Sequence, residues 1–301
     1  MRVFLTGASG FIGSRILTEL LAAGHQVTGL ARSESSARAL IAAGAEVHRG
    51  TLDEPDTLAA GAQGAEAVIH TAFDHDFHRF AENCEKDRRA IHAMGQALKG
   101  SDRPLIITSG TGMGDDTATA LAQEKHFNAG NSHPRVATET EGNALLAEGV
   151  NVQVVRLPQV HDTRRQGLIT WYIQHAIEKG VVACIGEGDN RWSAAHVSDV
   201  AALYRQVLER GESGQRYHAV AEEGVPLRQI AEIIARKLDL PYISLPSSEA
   251  EAHFGWFAIF AAINLRASSA WTRQQLGWHP TGPGLLEDLE NMDYAPLLSS
   301  R

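Results

Sequence analysis

Along the first half of the chain, short runs of apolar and β-branched residues alternate with stretches whose apolar positions recur every three or four residues. Strand-like runs stand at 2–5, 26–30, 46–48, 67–70, 104–108 and 152–156. Between the first two, Phe11, Ile12, Ile16, Leu17, Leu20 and Leu21 fall on one stripe of a helix that Gly24 is suited to cap. Such alternation predicts βαβ units, and hence an α/β fold: a doubly wound parallel sheet with helices on both faces. Residues 1–160 are assigned to this domain. After Pro158 the alternation loosens into helix-rich segments, with short strands expected at 181–185, 217–220 and 242–245. Residues 161–301 therefore read as mainly a smaller, helix-rich C-terminal lobe that binds substrate. Within it, 194–210 reads as a helix, and 194–220 is expected to return to the first domain.

A length of 301 residues passes the roughly 250–300 at which single cores stop growing, which agrees with one large domain and one smaller lobe. The net charge of −9 argues against a nucleic-acid partner, which needs a basic face to meet phosphates. Cys84 and Cys184 are far apart and lack ligand spacing, so neither a disulfide framework nor a metal site is expected, and a cytoplasmic location fits. Strand-like Val3-Phe4-Leu5, so close to the first residue, predicts no signal peptide. The most apolar stretch, 254–265, is too short to cross a bilayer. No membrane partner is expected, and this stretch reads as a buried helix or a lid over an apolar pocket.

The segment Thr6-Gly7-Ala8-Ser9-Gly10-Phe11-Ile12-Gly13 follows a strand and opens a helix, the context in which a glycine motif signals a Rossmann-type dinucleotide site. Gly7 suits the tight turn, Gly10 lets the backbone approach a pyrophosphate, and Gly13 allows close helix-to-strand packing. Ser9, Phe11 and Ile12 complete the predicted contact set. At the end of the second strand, where a carboxylate would hold a ribose 2′-hydroxyl, the chain reads Leu30-Ala31-Arg32-Ser33. A guanidinium and a hydroxyl suit a 2′-phosphate instead, so NADP(H) is expected over NAD(H).

These residues resemble the extended short-chain dehydrogenase/reductase family, with NAD-dependent epimerase/dehydratase proteins as the nearest broad group. Gly50-Thr51-Leu52 is similar to the family's Gly-Asp-Leu segment, with Thr51 where the aspartate stands and Leu52 in place to meet adenine. Val68-Ile69-His70-Thr71-Ala72 resembles the fourth strand, whose end, Thr71 and Ala72, lies along the cofactor. Val155-Arg156-Leu157-Pro158 resembles the turn after strand six and places Leu157 at the cofactor. His196-Val197-Ser198-Asp199-Val200-Ala201 and Leu276-Gly277-Trp278-His279-Pro280 are similar to two further family signatures. The resemblance runs from Met1 to about Glu290.

The resemblance implies a proton-donating tyrosine, a lysine four residues later, and a serine or threonine after strand five. For the last role Ser109 is favoured, with Thr111 close behind; the alternative is that these hydroxyls only cap a turn. Counting back from strand six, the tyrosine position falls on Arg135 and the lysine position on Glu139, so the dyad is absent and the chain reads as an atypical member. His133 and Arg135 become the basic candidates. Histidine can supply a proton near neutral pH, whereas arginine can only polarise an oxyanion or clamp a carboxylate. The plainer reading of Arg135 is an ion pair with Glu139 one turn along. Asp74 and His75, after strand four, form a second acid–base candidate. His161 is expected to border the substrate pocket. Trp171, Trp192, Trp256 and Phe257 either line an apolar pocket for an aromatic ligand or pack the core.

The leading expectation is an NADPH-dependent reductase acting on a carbonyl or imine of a small-molecule substrate. One alternative is a sugar-nucleotide epimerase or dehydratase that retains its cofactor. Another is a non-catalytic NADP-binding redox sensor or scaffold. Dimers are common in the family, so a homodimer is allowed for.

Overall fold

The computed structural model describes residues 1–115 and 121–298. Its first half alternates strictly: β1 (Arg2–Thr6), α1 (Phe11–Ala22), β2 (Gln26–Ala31), α2 (Glu34–Ala42), β3 (Glu46–Arg49), α3 (Pro55–Gln63), β4 (Ala67–His70), α4 (Phe80–Leu98), β5 (Leu105–Gly110), α5 (Val136–Ala147) and β6 (Val152–Leu157). Thereafter come β7 (Gln159–His161), α6 (Leu168–Lys179), β8 (Val182–Ile185), β9 (Arg191–His196), α7 (Val197–Arg210), β10 (Arg216–His218), β11 (Glu222–Pro226), α8 (Leu227–Leu238) and β12 (Tyr242–Leu245). The chain closes with α9 (Ala250–Phe254), α10 (Ala258–Ala262), α11 (Ala270–Leu276), α12 (Leu285–Asn291) and α13 (Ala295–Leu298).

Seven strands form one sheet in the order β10-β6-β5-β4-β1-β2-β3, and every pairing is parallel. Alternate residues of each strand serve opposite faces. Val3, Leu5, Ile69 and Ile106 join α1, α2 and α7 in one core cluster. Phe4, Val68, Leu105 and Ile107 join α3, α4 and α5 in another. Burial on both sides explains why these strands read as apolar runs without polar alternation. The chain leaves β1 towards β2 and β3, then crosses back to β4, so a crevice opens outside the carboxyl ends of β1 and β4.

The second lobe has its own core, in which α6, α8, α12, Trp192, Phe254 and Phe257 meet. Beside it lie a three-stranded sheet, β11-β9-β7, and the parallel pair β12-β8. The helix expected at 194–210 begins only at Val197. Residues 194–196 finish β9, because Ala194 and Ala195 pair with Gln159 and Val160 of β7. The stretch 254–265 is not one helix: Gly255, at φ +53, breaks it into short turns. α7 packs on the α1 side of the main sheet through Val200, Leu203, Tyr204 and Val207, and β10 extends that sheet.

Two of the family-like signatures meet at the start of α7. The Asp199 carboxylate, buried in the first turn, accepts from Thr281 N and Gly282 N, each at 2.9 Å. Trp278 Nε1 donates to Asp199 O at 3.0 Å while its ring fills the first core cluster. A carboxylate there also complements the positive end of the helix. Asp199→Ala removes two charge-assisted acceptors and is expected to cost about 3 kcal/mol. Asp199→Asn, which keeps one acceptor oxygen, should fall between that variant and the parent in urea denaturation.

Candidate active site

At the crevice, Gly7 takes φ +72, and a Cβ there would lie within 2.9 Å of Thr71 and Ala72. A Cβ on Gly13 would fall 2.0 Å from Gly7 O, so α1 can press against the turn only through glycine. Gly10 N donates to Gly7 O at 2.8 Å and closes the turn. No side chain caps α1, and its first turn carries no acid. Its leading amides and partial positive charge are thus left for an anion, and this glycine-walled cradle fits a dinucleotide pyrophosphate. Ser9 is exposed in the turn, while Phe11 and Ile12 pack half-buried against the core. Thr71 Oγ1 donates to Thr6 O at 2.8 Å and Ala72 N donates to Thr6 Oγ1 at 3.2 Å, which laces the ends of β1 and β4 together.

Arg32 projects exposed from the end of β2, close enough to Asp74 to help keep that carboxyl ionised. Ser33 is committed locally: its side chain accepts from Ser36 N and caps α2. Leu52 packs against the α3/α4 core and Leu157 against the α1/α7 core.

The reactive end is organised by a carboxylate that sequence reasoning missed. Asp87, on α4, is about 1% exposed. Its Oδ1 lies 3.1 Å from His70 Nε2, its Oδ2 accepts from Thr138 Oγ1 at 2.6 Å, and Arg135 Nη1 stands 3.1 Å from the same oxygen. His70 Nδ1 lies 2.7 Å from Thr6 Oγ1. Burial opposes ionisation of Asp87, but Arg135, His70 and Thr138 outweigh it and hold its pKa below the usual carboxylate value. The sequence signal was present: Asp87 falls on the apolar stripe Cys84, Ala90, Ile91, Met94 of α4, where an acid needs a partner.

Arg135 is the N-cap residue of α5, with its side chain 14% exposed. Nη2 donates to Thr108 O at 2.9 Å and the guanidinium lies 4.1 Å over the Phe73 ring. Buried Nη1 completes no hydrogen bond despite its closeness to Asp87. The ion pair with Glu139 does not form. Glu139 is fully buried and is instead held bidentately by Arg156, at 2.8 Å from Nε and 2.8 Å from Nη2, and by Arg216. Burial opposes its charge, yet Arg156 above all, with Ser109 and Arg216, lowers its pKa. Arg156 also donates to Gln123 O and His126 O and meets His218 Nε2 at 3.2 Å, so it ties the β5–α5 connection to the sheet.

Ser109 is the fifth residue of β5 rather than a residue beyond it. It is buried, with its hydroxyl close enough to Glu139 to favour that carboxylate's charge. Thr111 Oγ1 stands 3.5 Å from Ser193 Oγ. His133 sits two residues before Arg135, edge-on to Phe80. Burial and then Arg135 lower its pKa, which leaves it neutral at pH 7. His75 is shifted down for the same two reasons and stacks on Trp171. Asp74 is bound by Lys86 at 3.0 Å. The structure therefore gathers Arg135, His133, Phe73 and Asp87. It sets two other candidates apart: His161 is buried against Asp288 of α12 at 2.7 Å, and Trp192 is buried in the core of the second lobe.

A model of the NAD dependent epimerase/dehydratase family matches residues 3–221. An uncharacterized protein of Schizosaccharomyces pombe is 43% identical over 295 residues, covering 98% of this chain and 100% of its own. A 4-hydroxy-2-methyl-3-oxo-4-farnesyl-3,4-dihydroquinoline-1-oxide ketoreductase of Stigmatella aurantiaca is 27% identical, over 85% of this chain and 80% of its own. Among solved structures, the dTDP-glucose 4,6-dehydratase of Streptomyces venezuelae superimposes with a TM-score of 0.77. It is 17% identical, covers 98% of this chain and 97% of its own, and shares the fold.

The Arg156 anchor carries a pH dependence. His218 Nδ1 faces Ser268 O at 2.7 Å and Nε2 faces Arg156, an arrangement that suits only the neutral ring. Burial and then Arg156 push its pKa down to about 3. Between that value and the unfolded value of about 6.5 the unfolded chain binds the extra proton, so stability falls as pH drops through this window, by up to about 1.4 kcal/mol per pH unit. His218→Asn should flatten the fall in urea midpoint between pH 6 and pH 4 relative to the parent.

Proposed function

Because the chain belongs to the NAD-dependent epimerase/dehydratase family, we propose that it is an NADPH-dependent reductase of a carbonyl or imine in a small organic molecule. Membership by itself places it among nicotinamide-dependent oxidoreductases and epimerases. The observation that carries the finer reading is Arg135: a guanidinium fixed by Asp87 and Thr108 over the Phe73 ring, at the position that counting back from β6 assigns to the family's tyrosine.

When bound, the reduced dinucleotide supplies hydride to the electrophilic carbon. Arg135 then faces the oxygen or nitrogen on which the released π electrons collect, and its fixed positive charge stabilises the developing anion. Arg135 cannot give up a proton at working pH, so the product's proton comes from another group. His133 is two residues away and takes one up as pH falls, which makes turnover favour the acid side of neutrality. Asp87 and His70 are positioning residues: they hold the guanidinium in place without touching substrate. The reductase name of the Stigmatella relative supports hydride transfer to a carbonyl. Arg32, where a carboxylate would select NAD, supports the phosphorylated cofactor.

Two measurements test the reading. By calorimetry NADPH should bind more tightly than NADH, and Arg32→Ala should weaken NADPH by about tenfold or more while leaving NADH unchanged. In an NADPH-consumption assay across aldehydes, ketones and cyclic imines, Arg135→Leu should lower kcat by about 10²–10³. Tighter NADH binding, or a variant with undiminished turnover, overturns the proposal.

A further inference from the structure

Phe77 lies in a single 3-10 turn, Phe77–Arg79, between β4 and α4, yet its ring meets mainly side chains of the other lobe. It stacks on Trp256 with centroids 4.6 Å apart and planes 4° from parallel. Trp171 of α6 meets it edge-on at 5.2 Å, and Phe260 of α10 meets it edge-on at 6.1 Å. Three aromatic side chains of the second lobe thus form a flat slot, and the ring filling it hangs from a turn in which no residue is buried. The turn is held through Asp76, whose side chain accepts from His78 N and whose carbonyl accepts from Asn83 Nδ2.

The slot ends beside the polarising group. Phe80, stacked on Phe77 at 5.7 Å, touches His133 edge-on at 5.4 Å, and Phe73, 6.0 Å from Phe80, lies beneath the Arg135 guanidinium. A planar molecule in the place of the Phe77 ring would therefore be separated from His133 by the Phe80 ring and from Arg135 by Phe80 and Phe73. An aliphatic or sugar ring presents no π face to such a slot, whereas an aromatic one can stack and meet edges as the Phe77 ring now does.

We infer that the slot formed by Trp171, Trp256 and Phe260 binds the ring of an aromatic carbonyl or imine compound, and that Phe77 fills it in the ligand-free protein and yields to that ring. The inference rests on the reductase reading for what happens to the substrate, but not for where the ring binds. The incoming ring takes over the faces and edges that Phe77 gives up, so the cost of the exchange is that of exposing the Phe77 ring.

Calorimetric titration of the full chain with 2-naphthol, which cannot be reduced, tests the ring site apart from turnover. The parent protein should bind 2-naphthol at least tenfold more tightly than cyclohexanol. Phe77→Ala should tighten naphthol binding by about two- to tenfold, because the competing ring is gone. Trp256→Leu should weaken it tenfold or more, and Trp256→Phe, which keeps a flat ring, should restore most of it. Equal binding of cyclohexanol, or weaker naphthol binding by Phe77→Ala, overturns the inference. NADPH consumption with 2-naphthaldehyde separates the two readings. Naphthol binding without turnover of the aldehyde defeats the reductase assignment alone, whereas turnover of aliphatic aldehydes without naphthol binding defeats the aromatic slot alone.

Discussion

The reactive edge of the sheet depends on one carboxylate shut away from water. Asp87 of α4 holds its charge only because His70, Thr138 and Arg135 surround it, and they come from the end of β4, the body of α5 and its cap. A buried charge that loses one partner is costly, so α4, β4 and α5 are constrained together. The constraint reaches the cofactor crevice through His70, whose other nitrogen meets the same Thr6 hydroxyl that accepts from Ala72 N. The geometry of the glycine turn and that of the guanidinium are therefore linked by four contiguous side chains.

That arrangement also bears on the two positions to which counting back from β6 assigns the family's tyrosine and lysine. In their places stand a cation and an anion in inverted order, and the two do not pair with each other. Arg135 turns to Asp87, and Glu139 turns to Arg156 and Arg216. Each charge is neutralised by a partner that a short helical offset would never suggest. Glu139 thereby becomes a structural anchor for the connection between β5 and α5, while Arg135 is fixed by Asp87 and Thr108.

Much of this was legible in the chain itself. The central strands β1, β4 and β5 stand out because a sheet buried on both faces favours apolar residues on both, and the glycine turn stands out because its close approaches admit no side chain. The strands β7, β9 and β11 were not legible: polar residues interrupt each, two of three in Gln159-Val160-His161 and three of six in β9, so neither period shows. The start of α7 was misplaced for a related reason, since Ala194 and Ala195 favour helix locally and only pairing with β7 makes them strand. The partners of Arg135 and Glu139 lie 48 and 17 residues away, and local spacing pointed to the wrong pair. Of the tryptophans, spacing could not separate Trp192, sealed in the lobe core, from Trp171 and Trp256, which meet the turn after β4.

The division between lobes acquires a chemical meaning from this distribution. The parallel sheet supplies a glycine turn and a helix terminus that fit a dinucleotide, and beside them a cation braced by Asp87. The second lobe supplies flat aromatic faces and almost no charge at the point where it meets them. Outside this seam, Asp199 of α7, packed on the main sheet, accepts from Thr281 N and Gly282 N in the segment that leads to α12. The two surfaces meet through rings alone: Phe80 links Phe77 to Phe73, and Phe73 lies under Arg135.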